Sequence, residues 1–494
     1  MQTILDQLDA RCFARRQEIL SSCDLPPRAG TIYYVSAQGD DTLDGRTPDT
    51  AWKTLARVDS AVLCPGDSVL FRRNDLFRGH FCAQEGVFYG AFGTGAKPKM
   101  YGFAYDLADE ALWEVYDSAH HIYKMTRPIQ DCGTLVFNHG ERHSRKLIPS
   151  YINGQFVCRA DETQPFDMAR EMTQNLDIYC HCIGEMTTHP SKGESFPIPH
   201  LTDDTLGTLY LRSDQGNPGS IFSSIEALPR RHMITVKNHV HIDNLCLKYI
   251  GMHAVKGSKH IQGLHVTNCE IGWVGGCIQH YLGTDPNYPA GGRGTVTRFG
   301  NGVEIYGGCE DFLVENCYIY QVYDAAVTHQ ITTRGRRYTL KDITYRHNLI
   351  ERCVYGIEYF LEKTDGDSDS MMENIEITGN LLRLSGCGWG QQRHNTNTPA
   401  LIKGWSFENT ARNFTIHHNL FDRCAFRLLH LVAREKTSCP ALHDNVYVQH
   451  RGGLLGQYGE NCVSEPPVLP FDEGAEDIIR RLWGDSAARV HLLP

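Results

Sequence analysis

The sequence predicts an all-β chain wound as a parallel β-helix solenoid, carrying an inserted β-rich subdomain and short capping helices. The first observation is a recurring asparagine followed by hydrophobic residues: Asn244-Leu-Cys-Leu, Asn268-Cys-Glu-Ile, Asn316-Cys-Tyr-Ile, Asn348-Leu-Ile-Glu, Asn380-Leu-Leu-Arg, Asn419-Leu-Phe-Asp and Asn445-Val-Tyr-Val. The spacings are 24, 48, 32, 32, 39 and 26 residues, a turn in the mid-twenties lengthened by insertions, and such repetition marks a solenoid. The second is strict alternation in segments such as Gly302-Val-Glu-Ile-Tyr306, as expected of strands with one buried face. The third is length: 494 residues suit one continuous core only where each repeat buries its apolar side against the next.

Taken in order, residues 1–30 hold an amphipathic helix over 2–22, expected to cap the open first rung. Residues 31–103 contain Tyr34-Val-Ser-Ala-Gln-Gly-Asp-Asp-Thr-Leu-Asp-Gly45, Ala51-Trp-Lys-Thr-Leu55, Pro65-Gly-Asp-Ser-Val-Leu-Phe71 and Phe77-Arg-Gly79. This stretch resembles the opening of pectate-lyase-like, right-handed parallel β-helix proteins that act on carbohydrates, in style nearest to β-helix glycoside hydrolases. The resemblance covers 31–103 and 232–458, and it implies a right-handed winding whose first rungs are structural. Residues 104–231 break the repeat with strands such as Leu112-Trp-Glu-Val115 and Gly207-Thr-Leu-Tyr-Leu-Arg212, a β-rich insertion that reads as a small sandwich, similar to those of β-xylosidase-type β-helix enzymes. The rungs resume over 232–460, and residues 461–494, with an amphipathic stretch at 475–483, form a cap on the last rung.

Composition narrows the partners. The net charge is −10 with both signs scattered, and the absence of a basic tract argues against nucleic acid. No run reaches membrane-spanning length, and the charged start Met1–Ala10 lacks the apolar core of a signal peptide, so a cytoplasmic protein is expected. The 18 cysteines are then expected to stay reduced. Cys269, Cys317, Cys353 and Cys424 recur at matching repeat positions, as small apolar residues stacked inside a solenoid would. Cys180 and Cys182 have no second pair at zinc spacing, and no metal is expected there. Exposed solenoid flanks leave a homo-oligomer open.

Insertions follow equivalent strands: 282–300 after Cys277–Tyr281, 331–341 after Ala326–Gln330, 364–370 after Ile357–Leu361, and 394–399 after Gly388–Arg393. Loops at one phase of a solenoid wall a groove on one side. Gln279, His280, Gln330, Gln392 and Arg393 are expected there to bind substrate, with Trp273, Tyr306, Tyr359, Trp389 and Trp405 stacking on sugar rings. Glycoside hydrolysis needs two carboxyl groups about the bond, and neighbouring rungs, roughly 4.8 Å apart, can supply either the retaining or the inverting separation. Asp324 lies eight residues after Asn316, where Gly276 and Gly356 stand after Asn268 and Asn348. Glu358 sits on an otherwise apolar strand, which raises a carboxyl toward use as an acid. Glu304 alternates outward between Val303 and Ile305, Glu362 is a fourth carboxylate, and His329 is a candidate proton shuttle.

The function expected is therefore a glycoside hydrolase acting on oligosaccharides or small glycosides without a cofactor. One alternative is a lyase acting on uronic-acid glycans by β-elimination. It needs a basic Lys or Arg and charge neutralisation, often by calcium, and Arg293, Arg298, Arg334, Arg336, Arg337, Arg393 and Lys403 lie in or near the groove. Asp365-Gly-Asp-Ser-Asp369 reads as a solvated acidic loop rather than a calcium loop, because Ser370 stands where glycine is required. A non-catalytic carbohydrate-binding β-helix is the third reading. The consecutive aspartate pair of polygalacturonases is missing from this region.

Overall fold

The computed structural model describes residues 3–152, 155–187, 198–282, 293–364, 369–393, 398–405, 409–461, 464 and 466–494. Among the described residues, three ten-stranded sheets run the length of the solenoid, each drawing one strand from successive rungs; the first includes Ala411–His417, the second Leu420–Cys424 and the third Arg427–Ala433. The pairing is parallel throughout, except where Gly453–Glu460 meets Leu469–Phe471 antiparallel at the end of the third sheet. One continuous core fills the interior, from Val35 and Trp52 through Ile271, Ile319 and Leu382 to Phe471 and Trp483.

The repeated asparagine holds the turns between sheets. The backbone N–H and side-chain Nδ2 of Asn348 both donate to Oδ1 of Asn380, at 3.0 and 2.9 Å. Asn380 repeats this toward Asn419, and Asn419 toward Asn445. Asp485 ends the ladder by accepting from Asn445 at 3.2 and 2.9 Å. An amide both donates and accepts, so it satisfies a buried turn and passes the same pattern to the next rung; a carboxylate only accepts, which suits the terminus.

The N-terminal helix Ile4–Leu20, started by a Thr3/Asp6 capping box, does not cap the first rung. It lies along the outside of the second sheet, where Leu8, Cys12 and Ile19 cover Tyr318, Leu349, Leu381, Leu420 and Val446. Those five residues form one in-register outward column. An apolar stripe of this kind needs cover, and burying each aliphatic side chain is worth about 1.5–3 kcal/mol. In the first rung, Leu55 and Val58 of helix Leu55–Ser60 join the core beside Trp52. At the other end Ala475, Ile479, Trp483 and Ala488 enter the main core.

The insertion has a core of its own, including Leu135, Ile178, Leu209, Leu211 and Ile225. The first groove insertion is a β-hairpin, Cys277–Leu282 with Arg293–Phe299. Ile278, Tyr281 and Val296 of this hairpin pack into the insertion's core, and Ser150–Ile152 adds a strand to it. The inserted subdomain thereby props one wall of the groove. Asp365–Ser368 and 394–397 lie outside the described residues.

Candidate active site

The outer face of the third sheet carries a polar column in strict register. Lys256, Glu304, Thr328, Glu358, Lys403, His430 and Gln457 are successive partners from rung to rung. A second column two residues on holds Ser258, Tyr306, Gln330 and Phe360. Side chains at a spacing of two share a face, so Val303, Ile305, Val327, Ile357 and Leu361 point the other way, into the core. The columns floor a cleft of about 640 Å³, walled by Gln279, His280 and Phe299 of the hairpin side and by Arg334, Arg393 and Trp405. That volume lies within the usual range for a small-molecule site.

Among the described residues, three carboxyl groups line this cleft: Glu304, Asp324 and Glu358. Asp324 stands in the turn just before strand Ala325–Thr332. Its backbone is held on both sides, because Ala325 N–H donates to Asn301 Oδ1 at 2.8 Å and Tyr355 N–H donates to the Asp324 carbonyl at 3.1 Å. Its carboxylate is ion-paired with Arg393, whose guanidinium lies 5.5 Å over the Tyr355 ring.

Glu358 is 5% exposed, and burial lifts its pKa to about 8, with the charges of Asp324 and Glu304 adding and those of Lys403 and Arg393 opposing. Burial also holds Lys403 down to about 7, with Arg393 and Arg427 pushing the same way. The Lys403 amine donates to Tyr355 OH at 3.1 Å and Thr398 Oγ1 at 3.0 Å, and lies 3.9 Å over the Trp405 ring.

Burial likewise raises Glu304, to about 7. Its Oε2 accepts from Asn301 Nδ2 and lies 3.5 Å from Gln330 Nε2 and 3.2 Å from His253 Nδ1. That His253 nitrogen already accepts the Asn301 N–H at 2.9 Å, and burial keeps the ring neutral. A second acceptor facing a nitrogen lone pair is unfavourable, so the contact fits a protonated Glu304, as its raised pKa implies.

Of the residues anticipated from sequence, Glu304, Asp324, Glu358, Gln279, His280, Tyr306, Gln330, Arg393 and Trp405 line this one cleft, as does Arg334. Others lie elsewhere. His329 and Tyr359 alternate inward: His329 is fully buried, its Nδ1 is 2.9 Å from Tyr345 OH, its ring stacks on Tyr359, and burial lowers its pKa to about 3. Trp273 and Trp389 pack with Tyr249, Tyr323, Val136 and Leu228 in an apolar cluster between insertion and solenoid. Gln392 bonds the insertion through Ser144 O and Lys146 N–H, and Arg298 is buried, donating to the carbonyls of Gly276 and Gly133. Glu362 is exposed at the strand end, bonded to Thr332 Oγ1 at 2.7 Å.

Lys256, His253 and Asn301 were not anticipated. A positional signal existed for the first: Lys256, Thr328 and Gln457 each lie twelve residues after a repeat asparagine, Asn244, Asn316 and Asn445. Insertions blur that count for Glu304 and Lys403.

No family model and no curated protein matches the chain. Among solved structures, it is similar to the GH136 lacto-N-biosidase from Eubacterium ramulus, at 13% identity over 94% of this chain and 68% of that one, with a TM-score of 0.35. XylC in complex with xylose is similar at 10% identity over 93% of this chain and 82% of the other, with a TM-score of 0.38. A further structure named only as a glycoside hydrolase matches at 12% identity over 85% and 88%, with a TM-score of 0.33. At such identities and scores, the chemistry of the cleft has to be read from its own residues.

Proposed function

We propose that the protein is a glycoside hydrolase acting on oligosaccharides or small glycosides, with Glu358 as proton donor and Asp324 as the partner carboxylate. The observation that carries this reading is the unequal environment of the two acids. Glu358 is buried and raised to about 8, whereas Asp324 is paired with Arg393. A carboxyl that burial keeps protonated, beside one paired with arginine in the same cleft, suits a division into an acid and a nucleophile or base. Glu358 gives its proton to the glycosidic oxygen as the bond breaks, and Asp324 faces the charge developing at the anomeric carbon. Glu304 and Gln330 are placed to hold sugar hydroxyls, and Tyr306 and Trp405 offer ring faces to a pyranose.

The test is a proton NMR time course with a panel of neutral and uronic-acid oligosaccharides, with and without chelator. New reducing-end anomeric signals are expected, and the first anomer formed reports retention or inversion. Unchanged turnover in Asp324→Asn or Glu358→Gln removes that residue from the mechanism.

Lys403 favours elimination as a second reading. An amine held down to about 7 is about half free base at neutral pH, as proton abstraction beside a uronate carboxyl requires. Olefinic signals from uronic-acid substrates, abolished in Lys403→Met, would support it.

A further inference from the structure

On the first sheet, a different sheet from the one that floors the cleft, two neighbouring rungs each end in a pair of ionisable side chains. His417-His418 precede Asn419 and His443-Asp444 precede Asn445. His417 and His443 are register partners whose rings stack at 4.4 Å. His418 and Asp444 take left-handed backbone angles, φ 55° and 57°, which turn them out beside the strand ends. One ring nitrogen from each of the three histidines lies within 4.8 Å of the others.

Carboxylates stand beside the rings. His417 Nε2 is 3.0 Å from Glu376 Oε1, His443 Nδ1 is 2.9 Å from Asp444 Oδ2, and His418 Nε2 is 4.0 Å from the same Asp444 oxygen. Carboxylates beside imidazole rings are the arrangement found around histidine-bound metals. His417 Nδ1 and His418 Nδ1 stand 2.7 Å apart, with Thr378 Oγ1 3.2 Å from the former. One of these two nitrogens must carry a proton, which a metal would displace.

We propose that His417, His418 and His443 bind one divalent transition-metal ion, with Glu376 and Asp444 as supporting carboxylates. Imidazole ligands select zinc, nickel or copper over calcium and magnesium, and the exposed His418 leaves a coordination position open to water. The ion would act as a clamp. Ala441–His443 is a three-residue strand at the edge of its sheet, and terminal repeats of a solenoid open first. Joining His443 to His417 and His418 ties that edge to the preceding rung.

The test is calorimetric titration of the full chain with zinc, nickel and calcium ions, together with hydrogen exchange. One zinc per chain is expected, nickel likewise, and no saturable calcium binding. His418→Ala and His443→Ala, both at exposed positions, should weaken zinc at least tenfold, and Asp444→Asn about tenfold. Zinc should slow amide exchange of Ala441–His443 in the wild type and not in His443→Ala. Absence of saturable zinc binding, or wild-type zinc affinity in either histidine variant, would overturn the proposal.

Discussion

Glu358→Gln separates the contribution of the cleft to stability from its contribution to chemistry. The folded-state pKa of Glu358 is raised from 4.5 to about 8, so ionising it in the fold costs about 5 kcal/mol more than in the unfolded chain. The sign follows by linkage: a raised folded pKa contributes stability that is complete below the unfolded value near 4.5, erodes as pH rises, and is gone above about 8. Glutamine keeps the shape and cannot ionise. At pH 9 the Lys403 amine, held down to about 7, is already neutral, so no ion pair is lost with the substitution. The variant should therefore melt close to wild type at about pH 5 and be more stable by about 5 kcal/mol at about pH 9. With roughly 2.1 cal/mol/K of unfolding entropy per residue, 494 residues convert this to about 5 °C in Tm. Scanning calorimetry of both proteins at the two pH values reads the difference, and turnover of the variant should fall about 10²–10⁴-fold at every pH. A Tm difference that does not change with pH, or a variant less stable at pH 9, would refute the argument that burial keeps this carboxyl protonated.

Further tests address the neighbouring residues. The hydrolytic kcat/KM should fall as pH rises through about 8, where Glu358 loses its proton; Lys403, held down to about 7, is mostly neutral there, so Lys403→Met should leave the alkaline limb nearly in place while activity persists. An inactive Lys403→Met protein with a native melt would favour elimination instead. Asn380→Ala deletes the ladder contacts to Asn348, Asn419 and the Tyr345 carbonyl, and should cost about 2–4 kcal/mol, read as a lowered melting temperature. His329→Phe should leave turnover within about twofold, because that ring faces the core; a loss comparable to Asp324→Asn would return His329 to the chemistry.

Much of the architecture was legible without coordinates, because a solenoid is built from local repetition. The asparagines at 348, 380, 419 and 445 announce the turns, since each bonds the next at the same phase. Alternation in Val303-Glu304-Ile305 sets which side chains face out, and the loop positions mark the walled side. Applied to Val327-Thr328-His329, the same parity sends His329 inward with Tyr359, away from the proton-shuttle role that its residue type suggests.

Tertiary structure decided what repetition could not encode. Helix Ile4–Leu20 settles on rungs more than 300 residues away, because the column from Tyr318 to Val446 becomes a continuous apolar stripe only once the rungs stack. Trp273 and Trp389 meet in the seam between insertion and solenoid, a surface that exists only after both have folded. The acid–base character of the cleft is likewise collective. The sequence by itself determined that Glu304, Asp324 and Glu358 lie on successive outward rungs. Only the fold, by burying Glu304 and Glu358 and pairing Asp324 with Arg393, gives the three carboxyl groups unequal environments, because desolvation and the charges brought close in space depend on tertiary structure.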